Sequence, residues 1–233
     1  MGEAVVRDFL NEGAKVIIAD ILEVEGKALE TALQNESHSV HFFKTDVSSE
    51  ENVKELVAFT IEKFGKIDIL VNNAAINVPG SVLELTEETW DRTMDVNVKS
   101  QFFVSKHVIP HIKAAGGGAV INMSSANGFV AETRLSAYVA SKGAIVMITK
   151  AMALDFAPDN IRVNCVCPGW VDTTINDAHA DLYGGREEIL KDIAAIQPIG
   201  RAIEPMEIAK VTTFLASEDA SCMTGSAVLA DGA

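Results

Sequence analysis

Cysteine is scarce: three residues in a chain of 233, and badly placed for a disulfide-stapled fold. Cys165 and Cys167 stand two apart in a strand-like run, where alternate side chains point the same way but lie too far apart for an easy bridge. Cys222 is alone. No His/Cys cluster has ligand spacing, so no metal is expected and the thiols read as small buried side chains. Basic residues are also in short supply. Nineteen Lys and Arg against 33 Asp and Glu leave a net charge of −14, which argues against nucleic acid or an anionic membrane as a partner. There is no signal-peptide pattern and no apolar run of eighteen residues, and the expectation is a soluble cytoplasmic protein. Repeats, low-complexity stretches and breaks in composition are all missing. With 48% hydrophobic residues, the chain is expected to form one domain over 1–233 with a substantial core.

What the sequence does have is alternation from end to end. Short apolar strands are predicted at Lys15–Asp20, Val40–Thr45, Ile67–Asn72, Ala119–Met123, Ile161–Val166 and Ser226–Ala230. Helices are predicted at Glu23–Leu33, Glu50–Phe64, Thr89–Ala114, Ala137–Phe156 and Glu204–Ser217. Ser48 and Glu51 read as a capping box, Pro205 suits a first helical turn, and Pro110 is expected to bend or interrupt its helix. Near-continuously apolar strands separated by helices specify an α/β fold: a Rossmann-type doubly wound parallel sheet covered on both faces. The rhythm breaks between Val171 and Arg201, a polar stretch with Gly184-Gly185 and a short amphipathic piece at Glu187–Ile196. It follows Pro168-Gly169 at the carboxyl end of a strand, where ligands bind in open α/β sheets. A strandless segment of this length reads as a substrate lid.

Tyr138 and Lys142 lie four residues apart, so one helical turn puts phenol and ammonium on the same face. A free phenol titrates near ~10, and a cation beside it favours the phenolate, making the tyrosine a usable general acid or base. Ser125, thirteen residues earlier, ends a predicted strand and offers a hydroxyl to polarise a carbonyl or hold an alcohol. With Asn72-Asn73-Ala74-Ala75 after a strand and Asn97 in the next helix, the whole chain resembles the short-chain dehydrogenase/reductase family. The resemblance implies that Ser125 orients the substrate oxygen, Tyr138 exchanges its proton, and Lys142 lowers the tyrosine pKa and binds the nicotinamide ribose. It also implies that Asn97 positions a water in the proton relay, a role for which the residues themselves give no independent reason.

A dinucleotide fold needs a glycine-rich turn between its first strand and first helix, so that backbone can approach the pyrophosphate. The family pattern there is Thr-Gly-x-x-x-Gly-x-Gly, of which Gly2 matches the last glycine. The first strand and the other glycines are absent. The expectation is a start assigned at an internal methionine, or a fragment, with β edges left open, a vacant slot between the strands at Lys15–Asp20 and Ile67–Asn72, poor solubility and weak NAD binding. The remaining cofactor positions are present. Asp20 ends the second family strand, placed to accept from the adenosine ribose and to repel a 2′-phosphate, which favours NAD over NADP; a helix cap is the alternative. Asp46-Val47 resembles the adenine contact, again with capping as the alternative. Asn73, Ala74 and Ala75 depart from the usual Asn-Asn-Ala-Gly by one methyl group. Pro168, Gly169, Val171 and Thr173 match the segment that holds the nicotinamide amide.

The resemblance therefore implies an NAD-dependent oxidoreductase interconverting a secondary alcohol and a ketone, with a small-molecule substrate. Asn127, Phe129, Glu132, Trp170 and His179 fall on the loops after Ser125 and Pro168 and are candidates, with Ser125, to line the substrate pocket. Glu132 and Asn127 would suit a polyol or sugar, Phe129 and Trp170 a ring; small polar hydroxy compounds are preferred. A homotetramer is implied, with the Tyr138 helix and the Thr89–Ala114 helix at its interfaces. The alternative is a truncated, non-catalytic dehydrogenase-like protein that binds no cofactor.

Overall fold

The computed structural model describes residues 1–233. In chain order the elements are α1 (Gly2–Asn11), β1 (Val16–Asp20), α2 (Glu23–Asn35), β2 (Val40–Lys44), α3 (Glu50–Phe64), β3 (Ile69–Asn72), α4 (Glu87–Met94), α5 (Ser100–Ala114), β4 (Gly118–Met123), α6 (Ser136–Phe156) and β5 (Ile161–Pro168). The segment between Val171 and Arg201 contributes α7 (Asp177–Ala180), α8 (Arg186–Lys191) and α9 (Ile193–Ile196), and α10 (Pro205–Ala216) and β6 (Ala227–Ala230) follow. Every strand pairing is parallel, and β3-β4-β5-β6 lie in that order. The register Ile69↔Ala119 through Asn72↔Asn122 places the ends of β3 and β4 level.

The pleat of β4 explains why its sequence is apolar without interruption. Val120 faces α3, α5 and α6 in a core with Val53, Val57, Ile112, Met152 and Val163. Ala119, Ile121 and Met123 face the other way, onto Ile208 and Leu215 of α10. Both faces are dry, as a parallel sheet between helix layers requires. One polar ladder crosses this interior: Asn72 Nδ2 donates to Asn122 Oδ1 (2.9 Å), and Asn122 Nδ2 donates to Thr149 Oγ1 (2.9 Å). It ties β3, β4 and α6 together directly below the carboxyl edge.

The sheet is in two parts. β1 pairs with β2, β3 belongs to the four-stranded part, and no ladder joins β1 to β3. Each of these two strands is hydrogen-bonded on one side only, as expected from the sequence. Helix α1 bridges the parts: Val5 and Phe9 pack with Val16 of β1, Val71 of β3, and Met206 and Ala209 of α10.

Three local expectations are corrected. The cap of α3 is Ser49, whose hydroxyl accepts from Asn52 N (3.4 Å), while Ser48 donates to Asp46 Oδ1 (2.6 Å) instead. The long helix is not broken at Pro110, which lies on the exposed side of an unbroken α5, where a carbonyl deprived of its amide meets water. The irregularity lies upstream, a π-helical turn at Asp95–Lys99 between α4 and α5. Third, β5 runs on to Pro168, two residues beyond its apolar stretch. The Cys165 and Cys167 thiols share one face at 3.9 Å and are unbonded, and Cys222 is exposed.

Candidate functional site

The carboxyl ends of β4 and β5 and the first turns of α6 bring Ser125, Tyr138 and Lys142 together. Tyr138 and Lys142 lie one turn apart, with Nζ 5.3 Å from the phenol ring centre. Lys142 is almost wholly enclosed, and its ammonium donates a single hydrogen bond, to the Met123 carbonyl (3.0 Å). Burial pulls it down to about 8. Burial also dominates at Tyr138: it pushes the phenol up to about 12, offset in part by a hydrogen bond with Ser125, while the Glu132 carboxylate adds to the rise. Burial of the phenol, not the neighbouring cation, sets the direction of the shift. Ser125 Oγ is further held by the Asn127 amide (3.1 Å) and lies 3.5 Å from the Pro168 carbonyl.

Asn97 occupies the π-helical turn and is completely buried. Its Nδ2 donates to the Ile76 carbonyl (2.9 Å) and to Ser141 Oγ (3.0 Å), and its Oδ1 accepts from Ile76 N (2.8 Å). Both amide hydrogens are spent, so the side chain acts as a strut between the loop after β3 and α6. A π-helical turn displaces one residue from the regular ladder, which is what aims this amide across at Ile76.

The cofactor candidates line the same carboxyl edge. Gly2 abuts Asn73: a Cβ there would stand 3.1 Å from Asn73 Nδ2. Asp20 is exposed at the end of β1, where one carboxylate oxygen accepts from Leu22 N (2.9 Å). Asp46 accepts from the amide and hydroxyl of Ser48 (2.9 and 2.6 Å), and Val47 packs on the core below. Both contacts are local turns two residues long rather than helix caps, since α2 has no side-chain cap and α3 is capped by Ser49, and each aspartate keeps an oxygen free of them. Ala74 and Ala75 lie in the loop between β3 and the Gly80–Leu135 bridge. At Gly169 a Cβ would meet the Asp231 carbonyl at 2.7 Å, so glycine is needed for that close approach. Val171 is buried and pairs with Ile203. Three polar atoms are buried here without partners, Asn73 Oδ1, Asn77 Oδ1 and Thr173 Oγ1. Orphaned buried acceptors are costly, and these fit a polar ligand lying along the edge.

The candidate substrate residues separate. Asn127 Nδ2 donates to Glu132 Oε1 (3.0 Å), and His179 Nδ1 lies 3.8 Å from Glu132 Oε2. His179 Nε2 is 3.2 Å from the Thr133 carbonyl, and its ring meets that of Tyr183 edge-on. Trp170 is fixed by Gln197, which accepts from its amide (2.8 Å), and stacks under the Arg186 guanidinium at 5.6 Å. Phe129 is largely exposed. Two anchors of the lid had no signature in the sequence. Arg186 binds Asp172, Asp177 Oδ1 (2.7 Å) and the Thr173 carbonyl (2.6 Å). Buried Gln197 bridges Trp170 and the Arg201 carbonyl (2.6 Å). Their partners lie in irregular chain, where no periodicity marks them.

Comparison with known proteins agrees with this geometry. The family described as enoyl-(acyl carrier protein) reductase matches residues 1–232. The chain is 37% identical to dehydrogenase/reductase SDR family member 4 of Homo sapiens, over 100% of this chain and 82% of that one. It is 38% identical to meso-2,3-butanediol dehydrogenase of Serratia marcescens, over 100% and 89%. A crystal structure of an actinorhodin polyketide ketoreductase with NADPH superposes with a TM-score of 0.93 at 30% identity, covering 99% of this chain and 91% of that one.

Proposed function

Because the chain belongs to the short-chain dehydrogenase/reductase family of oxidoreductases, we propose that it interconverts a secondary alcohol and a ketone with a nicotinamide cofactor. The observation that carries the reading is the convergence of the Ser125 hydroxyl, the buried Tyr138 phenol and the buried Lys142 ammonium at the end of β4. The non-catalytic alternative has nothing comparable in its favour.

In this reading Ser125, beside Tyr138, holds the substrate oxygen in line with the phenol. In reduction the Tyr138 phenol gives its proton to the carbonyl oxygen, and in oxidation the Tyr138 phenolate takes the alcohol proton. Lys142 uses one of three ammonium hydrogens on Met123, leaving two for ribose hydroxyls. A positive charge enclosed beside the phenol supports the phenolate as it forms. The cofactor supplies the acceptor or donor of hydride. Asn73 and Thr173, with their unpartnered oxygens, and the small Gly2, Ala74, Ala75 and Gly169 would hold it, together with Asp46, Val47, Pro168 and Val171. Asn97 keeps the loop at Ile76 against α6 so that this edge stays formed. We assign NAD over NADP on the exposed carboxylate of Asp20, whose charge would repel a 2′-phosphate.

Asn127, Glu132 and His179 make the substrate end polar, and hydroxylated substrates fit it better than hydrocarbons; the name of the Serratia relative points the same way. A homotetramer is supported by apolar side chains on the outer faces of α5 and α6: Phe102 is 49% exposed, Met147 63% and Leu154 80%. The deciding experiment is a panel of secondary alcohols and ketones assayed with NAD(H) and NADP(H), with sedimentation to report assembly. Turnover of alcohols with NAD is expected. No turnover of any compound with either cofactor would refute the oxidoreductase reading for this chain.

A further inference from the structure

The lid meets the Tyr138 loop through an imidazole that is only half used. His179 Nε2 stands 3.2 Å from the Thr133 carbonyl, an oxygen that can only accept, so Nε2 carries a proton. The Thr133 hydroxyl is already engaged with Tyr183 Oη (2.6 Å) and offers nothing to the ring. On the far side of the ring, Nδ1 looks across 3.8 Å at Glu132 Oε2. That gap exceeds a hydrogen bond, so neither atom satisfies the other. The other Glu132 oxygen is satisfied by Asn127 Nδ2 (3.0 Å), which fixes the carboxylate in this orientation.

From this geometry we infer that Glu132 and His179 form a subsite for a second hydroxyl group of the substrate, making vicinal diols and the matching hydroxy ketones the preferred pair. The inference rests on the alcohol–ketone reading above and names its substrate class. Position supports vicinal over remote hydroxyls. Asn127 donates its backbone amide to Ser125 Oγ (3.1 Å) and its side-chain amide to Glu132. One residue therefore separates the hydroxyl that holds the carbinol oxygen from the carboxylate that holds the second one. The Glu132 charge is also felt at Tyr138, which places it on the reacting side of the loop. In oxidation the carbinol C–H hydrogen leaves as hydride to the oxidised nicotinamide and the O–H proton goes to the Tyr138 phenolate. The second hydroxyl donates its one hydrogen to Glu132 Oε2 and keeps all its bonds. A simple secondary alcohol leaves this half-exposed carboxylate oxygen to water and forgoes the bond.

The test is the ratio of kcat/KM for hexane-3,4-diol to that for hexan-3-ol, measured with NAD on the full chain. A hydrogen bond to a half-exposed carboxylate predicts a ratio of about ten. In Glu132→Gln the new amide can itself donate to His179 Nδ1 and close the gap, and the ratio should fall below about three. His179→Asn, a smaller change on the lid side, should lower it in the same sense. Equal kcat/KM for the two compounds in the wild-type protein overturns the subsite while leaving the oxidoreductase reading intact, and so does a ratio unchanged in both variants. If Glu132→Gln does not fold, the wild-type ratio and His179→Asn decide. Turnover of neither compound, nor of any other alcohol or ketone, overturns the underlying reading and this one with it.

Discussion

Lys142 is the most expensive side chain in the interior, and replacing it should expose that cost. Its ordinary value of 10.5 falls to about 8 through burial. At about 1.4 kcal/mol per pH unit, holding it charged in the folded protein below pH 8 costs roughly 3 kcal/mol. Lys142→Met keeps the length and removes the charge. It also strips the Met123 carbonyl of its hydrogen bond, a loss of about 1 kcal/mol. The net expectation is a gain of about 2 kcal/mol near neutral pH, or roughly 4–8 °C in Tm for a chain of this size. The sign with pH follows from proton counting. Between pH 8 and 10.5 the unfolded lysine holds a proton that the folded one has lost, so wild-type stability rises with pH through this window and the penalty disappears above it. The raised Tyr138 acts oppositely above about pH 10, but it is common to both proteins and cancels in the difference. Urea unfolding of both, without cofactor, should show the variant ahead by about 2 kcal/mol near pH 7 and almost level near pH 9.5. A variant less stable than wild type near pH 7, or a gap that ignores pH, would mean that Lys142 is not held as a costly buried charge.

Tyr138→Phe keeps the buried ring and removes the proton carrier, so kcat should fall by roughly 10²–10⁴ with cofactor affinity by calorimetry nearly unchanged. Near-normal turnover would remove Tyr138 from the chemistry. Asp20→Ser should weaken NAD by roughly ten- to a hundredfold and relieve exclusion of NADP; an unchanged preference in steady-state kinetics would leave Asp20 as no more than the turn it forms with Leu22. Asn122→Ala breaks the polar ladder at its centre, leaving Asn72 and Thr149 short of partners; chemical unfolding should report a loss of roughly 2–4 kcal/mol.

The parts of this fold that could be read from sequence are those whose determinants are local. Helix α3 begins and ends as anticipated because acidic residues open it and Gly65 takes the left-handed conformation that stops it. The parallel sheet could be read because β4 and β5 need apolar residues on both faces. Ser125, Tyr138 and Lys142 could be located because one helical turn and one strand end suffice to bring them together. The π-helical turn could not: nothing in Asp95–Lys99 distinguishes it from ordinary helix, and its cause is the Asn97 contact with Ile76, twenty-one residues away. Nor could the rise of the Tyr138 pKa, since desolvation depends on what the rest of the chain places around the phenol. Arg186 and Gln197 find their partners across irregular chain, where spacing carries no information.

The way the lid is fastened has a consequence for how such a protein can diversify. One isolated bridge, Val171 to Ile203, pairs the two ends of the segment with each other at its base. The other ties described above run through side chains: Arg186 to Asp172 and Asp177, Gln197 to Trp170, His179 to the Thr133 carbonyl. Such a segment is a replaceable cassette. Its residues can be rewritten between two fixed hinges without disturbing a sheet register or opening the core clusters beneath α5, α6 and α10. Changes of sequence within this segment would therefore leave Tyr138 and Lys142 on α6, and Ser125 after β4, in place.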